Sequence, residues 1–192
     1  MKNPILVGLV GEKGSGKETV GQLFIQLLPE KKIAHVKFSD LLKETLDLWS
    51  LPLTRTNLQD LAIIMDQHFG EGTLAYAMKQ RIKKLDADIV ILDGVRWDAD
   101  IKLINSFRKH FLIYVTAEIK TRFKRISKRV EKVGEGKNYE QFLKEEEKPN
   151  EVGIPRLGSN ADFKIENNAS ISNLTEQLKK FIKTKFKLSS IG

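Results

Sequence analysis

Ile5-Leu6-Val7-Gly8-Leu9-Val10 runs directly into Gly11-Glu12-Lys13-Gly14-Ser15-Gly16-Lys17-Glu18-Thr19. Six apolar, partly branched residues of this kind read as a buried strand. The glycines that follow let the backbone take conformations other residues resist. Successive N–H groups can then turn inward as an anion nest. From Thr19 to Leu28 the apolar positions Val20, Leu23, Phe24 and Leu27 fall at helical spacing, and Pro29 ends the run. A helix starting on the loop adds its partial positive charge to the nest. Strand, loop and helix together predict a polyphosphate site.

Working outward, Ile33 to Phe38 is a second strand candidate, and Ser39 or Asp40 caps a helix reaching Trp49. Asn57 to Phe69 and Thr73 to Leu85 read as two more helices around Gly70-Glu71-Gly72. That is long for a simple crossover and points to an inserted helical flap. Asp88 to Gly94 is an apolar third strand, Ala99 to Lys109 a helix and Phe111 to Val115 a fourth strand. Glu118 to Glu131 is a basic helix. Lys132 to Gly158 is polar, with one short helical piece at Tyr139 to Glu147. Asp162 to Glu166 makes a short fifth strand, and Ile171 to Phe186 closes the chain with Leu174, Leu178, Phe181 and Ile182 inward. Alternation of strands and helices predicts a parallel sheet of about five strands covered on both faces.

The chain has 192 residues, 41% of them hydrophobic, enough for one domain with a real core. There is no cysteine, which excludes thiolate catalysis and cysteine metal sites. His35, His68 and His110 show no metal-ligand spacing. No eighteen-residue apolar run exists, so no membrane span or membrane partner is expected and the cytosol is the expected compartment. A net charge of +8 suits an anionic ligand without choosing one. A nucleic-acid partner stays open but no motif supports it. The oligomeric state is not legible.

Gly14-x-Gly16-Lys17-x-Thr19 departs from the commonest phosphate-loop pattern, because Glu18 stands where the magnesium-binding hydroxyl usually follows the lysine. This resembles the loop of nucleoside monophosphate kinases and implies a P-loop NTPase fold of three layers, with a helical acceptor-binding insertion and a small lid. The implied nucleotide is ATP or another nucleoside triphosphate, bound with Mg2+. The implied contacts are Gly11, Gly14, Ser15, Gly16, Lys17, Glu18 and Thr19, with Lys17 on the β- and γ-phosphates and Glu18 facing solvent. The expected division is one kinase domain: core 1–38, 86–130 and 160–186, insertion 39–85, lid 131–158.

Ile91-Leu92-Asp93-Gly94-Val95-Arg96 resembles the L-D-G-F-P-R segment of adenylate kinases, one residue short and without the proline. A carboxylate ending a central strand beside such a loop can hold a magnesium-bound water. Asp93 is therefore expected to serve magnesium together with Thr19. Arg96 is expected on the acceptor's phosphate. Phe38-Ser39-Asp40-Leu41-Leu42-Lys43 resembles the acceptor-binding segment of the same kinases, with Lys43 in the arginine's place. Asp40, Lys43 and Arg55 join Arg96 as acceptor candidates. Arg122, Arg125 and Arg129 follow the fourth strand, and Arg125 and Arg129 share one helix face. In the resembling kinases R-x-x-x-R begins the lid, which implies contact with the base and the transferring phosphoryl group. Arg156 is the candidate returning arginine. Ala161 to Ser170 resembles the A-D-x-x-I-x-N-N-G-S segment of dephospho-coenzyme A kinases, which implies that Asn168 lies near the adenine.

The expected activity is transfer of the γ-phosphoryl group of ATP to a nucleoside or deoxynucleoside monophosphate. Phosphorylation of dephospho-coenzyme A or another small molecule is the alternative. A P-loop ATPase or switch acting on RNA or ribosomes is the second alternative.

Overall fold

The computed structural model describes residues 3–131 and 138–186. Five strands form one parallel sheet in the order β2-β3-β1-β4-β5. They are β1 (Ile5–Val10), β2 (Ile33–Lys37), β3 (Ile89–Val95), β4 (His110–Thr116) and β5 (Phe163–Glu166). The fold class expected from alternating strands and helices is the one found. The chain divides into two compact units, one of residues 3–8 and 31–111, the other of residues 9–30 and 112–186 less 132–137.

In the first unit β2 pairs with β3 in the register Ile33↔Ile89 to Lys37↔Asp93. Its helices are α2 (Phe38–Leu48), α3 (Arg55–Phe69), α4 (Thr73–Lys83) and α5 (Asp98–Asn105), after the second unit's α1 (Lys17–Leu27). Helix α2 begins at Phe38, directly on the end of β2, and not at a Ser39 or Asp40 cap. Asp40 instead reaches back from the third helical position and accepts the Lys37 N–H at 2.9 Å. That satisfies one of the donors a helix start leaves open. Thr54 caps α3 by accepting the Asn57 N–H at 3.1 Å. Phe38, Leu42 and Leu46 of α2, Ala75, Met78 and Ile82 of α4, and Leu103 and Ile104 of α5 are buried. Helix α3 has no fully buried side chain among its described residues, and Ile63, Ile64 and Phe69 are exposed.

In the second unit α1 packs on the closing helix α10 (Ile171–Phe186). The rings of Phe24 and Phe181 meet edge-on at 5.9 Å, and Phe163 lies 5.4 Å from Phe181. Strand β4 pairs with β5 from Ile113↔Phe163 to Thr116↔Glu166. Between them come α6 (Ile119–Glu131), α7 (Tyr139–Glu146), α8 (Pro149–Val152) and α9 (Ile154–Ser159). Past α6 the sequence suggested one helical piece, and the described residues there form three. Pro149 and Pro155 each occupy a first-turn position, where the missing N–H costs nothing. Phe142, Ile154 and Leu157 bury these short helices. Part of the expected lid, residues 132–137, lies outside the described residues. No described helix is long and apolar enough to cross a membrane.

Candidate functional site

The loop between β1 and α1 is shaped by three glycines for two different reasons. Gly14 and Gly16 have φ of 79° and 103°, the left-handed region that L side chains resist. Gly11 is needed because a Cβ there would stand 2.1 Å from the Val115 carbonyl oxygen. The Ser15 N–H donates to the Glu12 carbonyl at 3.2 Å and closes the turn. The Lys17 ammonium donates to the carbonyls of Gly11 and Glu12 at 2.7 and 3.1 Å. Gly16 starts α1 with no side-chain cap hydrogen bond, and an uncapped helix start of this kind suits an anion.

Two loop peptides are gripped from outside. Arg122 of α6, only 6% exposed, donates to the Lys13 carbonyl at 3.3 Å and to the Ala117 carbonyl at 3.1 Å. Asn167, just past β5 and also buried, donates its side-chain amide to the Ser15 carbonyl at 2.8 Å. A trans peptide is planar, so a carbonyl and the next N–H point in opposite directions. Fixing the carbonyls of Lys13 and Ser15 therefore aims the N–H groups of Gly14 and Gly16 away from Arg122 and Asn167. Arg125 in turn donates to the Asn167 carbonyl at 2.8 Å.

A layer of acids lies beside these cations. The Glu12 carboxylate, inside the loop and buried, accepts the Tyr114 hydroxyl. Burial, then this hydrogen bond to Glu12, pushes the Tyr114 phenol up to about 12. On α7, Glu145 pairs with the Lys13 ammonium at 2.8 Å and Glu146 pairs with Arg122. Burial raises the Glu146 carboxyl above its usual range, against the pull of Arg122. Phe142 anchors the same helix at 5.6 Å from the Phe123 ring and 5.6 Å from the Arg122 guanidinium carbon.

A cleft of about 340 Å³ opens along the loop, lined by Gly14, Gly16, Thr19, Arg125, Asn167 and Leu174 among others. It gathers four of the expected nucleotide residues. Glu18 is exposed on α1, facing solvent as its position implied. Ser15 is fully buried. Asn168 is exposed, and its side-chain oxygen accepts the Glu118 N–H at 2.7 Å. It is Asn167, not Asn168, whose side chain turns to the glycine loop. Arg156 is exposed on α9. The Arg129 and Arg55 side chains lie outside the described residues.

The remaining candidates belong to the first unit. Asp93 is 8% exposed on β3, with the His35 ring nitrogen Nε2 3.9 Å from its carboxylate. Gly94 has φ of 89°, yet β3 continues through it to Val95 and does not end there. Lys43 is 3.8 Å from Asp40, both partly exposed. Arg96 is half-buried, and its N–H donates to Asp100 at 2.8 Å.

Sequence reasoning passed over Glu12, Tyr114, Asn167, Glu145 and Glu146. For Asn167 a signal existed: Ile165 is buried and Glu166 exposed, and continuing that alternation turns residue 167 inward.

No protein-family model matches the chain. It is 26% identical over 182 residues to a UPF0200 protein of Pyrococcus furiosus, covering 91% of this chain and 94% of that one. Its structure resembles shikimate kinase from Bacteroides thetaiotaomicron with a TM-score of 0.59 at 13% identity, over 96% and 99% of the two chains. A gluconokinase from Sinorhizobium meliloti gives a TM-score of 0.52 at 12% identity, over 99% and 100%. The fold is that of P-loop kinases. Identities this low speak for the architecture alone.

Proposed function

We propose that the chain is an ATP-dependent phosphotransferase that moves the γ-phosphoryl group to a nucleoside or deoxynucleoside monophosphate. The observation that carries the phosphoryl-transfer reading is the loop itself: two left-handed glycines, two carbonyls tied back by Arg122 and Asn167, and the Lys17 ammonium seated on the loop's first carbonyls. Such a loop presents N–H groups and a mobile cation to a polyphosphate, at the start of an uncapped helix. The likeness to proteins named shikimate kinase and gluconokinase supports a small-molecule acceptor over a macromolecular one.

The Thr19 hydroxyl and the Asp93 carboxylate are each an oxygen donor of the kind magnesium takes. Among the described residues no three His, Asp or Glu side chains gather as a metal-binding group. Phosphate oxygens and water would therefore supply most of its ligands. Bound there, magnesium would neutralise charge on the β- and γ-phosphates. Lys17 and the loop N–H groups orient the phosphates, and Arg125, Arg129 and Arg156 stabilise charge on the transferring group. Asp40, Lys43, Arg55 and Arg96 hold the acceptor. A phosphate acceptor is already anionic and nucleophilic, so alignment and charge neutralisation suffice without a general base.

Incubation with ATP and magnesium against a panel of nucleoside monophosphates, dephospho-coenzyme A, shikimate and gluconate, with product identification, tests this reading. A phosphorylated monophosphate is the expected product. A phosphorylated product from another panel member would move the assignment to that acceptor. ADP formed without any acceptor would make the protein an ATPase instead.

A further inference from the structure

We infer that Arg122 and Glu146 form a positioning pair that presets the Lys13–Gly14 peptide for a polyphosphate, and that α7 is thereby a built-in brace of the phosphate loop. This deepens the phosphotransferase reading and rests on its polyphosphate site.

Arg122 is placed for this by several contacts at once. Its backbone is so close to Gly14 that a Cβ there would sit 2.8 Å from the Arg122 carbonyl oxygen. Its guanidinium fork spans the Ala117 and Lys13 carbonyls at 3.1 and 3.3 Å. The remaining charge is met by Glu146 and covered by the Phe142 ring. A buried guanidinium held on this many sides has little freedom to follow a ligand. It acts on the ligand through the peptide whose carbonyl it holds.

The neighbouring acid completes the arrangement. Glu145 takes the Lys13 ammonium at 2.8 Å, so adjacent carboxylates of one helix fix both the side chain and, through Arg122, the carbonyl of the same loop residue. In a chain of net charge +8, acids this close to a phosphate site oppose the ligand by charge. Their presence is accounted for if they hold the loop's shape.

Charge and positioning predict opposite signs, which makes the inference testable. Binding of ATP with magnesium, and of inorganic tripolyphosphate, is measured by calorimetry on the full chain and on Glu146→Ala, Arg122→Lys and the double variant. Thermal melts confirm that each is folded at the working temperature. Positioning predicts that Glu146→Ala weakens both ligands by about tenfold, the worth of one charge-assisted hydrogen bond. Arg122→Lys keeps the charge and loses the fork, and weakens them similarly. The double variant loses less than the product of the two single effects. Tripolyphosphate lacks a base, so an equal loss for both ligands locates the defect in the phosphate grip. Glu146→Ala binding tripolyphosphate as tightly as the parent, or more tightly, overturns the inference even if Arg122→Lys does not fold. A parent that binds tripolyphosphate but phosphorylates no acceptor defeats the phosphotransferase reading and leaves this one standing.

Discussion

The side-chain amide of Asn167 donates to the carbonyl of Ser15 at 2.8 Å, joining positions 152 residues apart at the heart of the phosphate loop. Gly16 is what permits the approach, since a Cβ on it would lie 2.3 Å from the same amide nitrogen. Asn167→Ala should remove the short bond to the buried Ser15 carbonyl and leave it the 3.5 Å contact of Arg125, destabilise the protein by roughly 1–3 kcal/mol and weaken ATP binding. Gly16→Ala should be worse, with steric clash added to a left-handed φ that costs roughly 1–2 kcal/mol for a residue with a Cβ. Combining the two removes the clash but not the backbone strain, so the double variant should recover part of the loss. Denaturant melts of the three variants decide this; full recovery would show that φ at position 16 carries no cost.

Lys17→Ala should abolish phosphoryl transfer while leaving the thermal midpoint within a few degrees of the parent. Its ammonium bonds the loop carbonyls of Gly11 and Glu12, and a partly exposed bond of this kind contributes about 1 kcal/mol. Turnover at the parental rate in this variant would remove Lys17 from the chemistry.

Arg96→Ala should raise KM for the acceptor several-fold more than KM for ATP. Its backbone N–H, which serves Asp100, is untouched by the change, so the fold should persist. Steady-state kinetics with each substrate varied in turn separates the two constants, and a rise confined to ATP would move Arg96 out of the acceptor site.

Asp100 predicts a pH dependence of stability. Burial raises its carboxyl from 3.8 to about 6, against the two backbone N–H groups of Arg96 and Trp97 that favour its charge. The folded protein then holds more protons on this group than the unfolded chain does between those values. Its contribution is fully present below pH 3.8 and is lost as pH rises through about 6. The stability difference between the parent and Asp100→Asn should therefore shift against the parent from pH 4 to pH 7, by at most about 3 kcal/mol. Chemical denaturation at both pH values measures it; a difference independent of pH would mean that Asp100 ionises normally.

The alternation of strands and helices, the glycine loop after β1 and the closing helix at Ile171–Phe186 were legible in the residues alone. Each rests on local physics: a run buried on both faces, glycines where φ is positive, apolar positions recurring every three or four residues. Helix α2 lay within reach too, and only its capping differed, because Asp40 caps from inside the helix. Helices α8 and α9, each with a proline in its first turn, were missed; proline breaks a helix interior but suits its first turn.

What makes the loop a site was decided by tertiary structure. Arg122 read as one more cation on a basic helix, without the role given to Arg125 and Arg129. Folding buried it against Phe142 and gave it the Lys13 carbonyl and Glu146. Of two adjacent asparagines the resemblance singled out Asn168, and strand alternation turned Asn167 inward and Asn168 out. Periodicity and φ preference are properties of neighbours along the chain and can be read there. A hydrogen bond between residues 109 or 152 positions apart exists only after the sheet has brought β1, β4 and β5 into order.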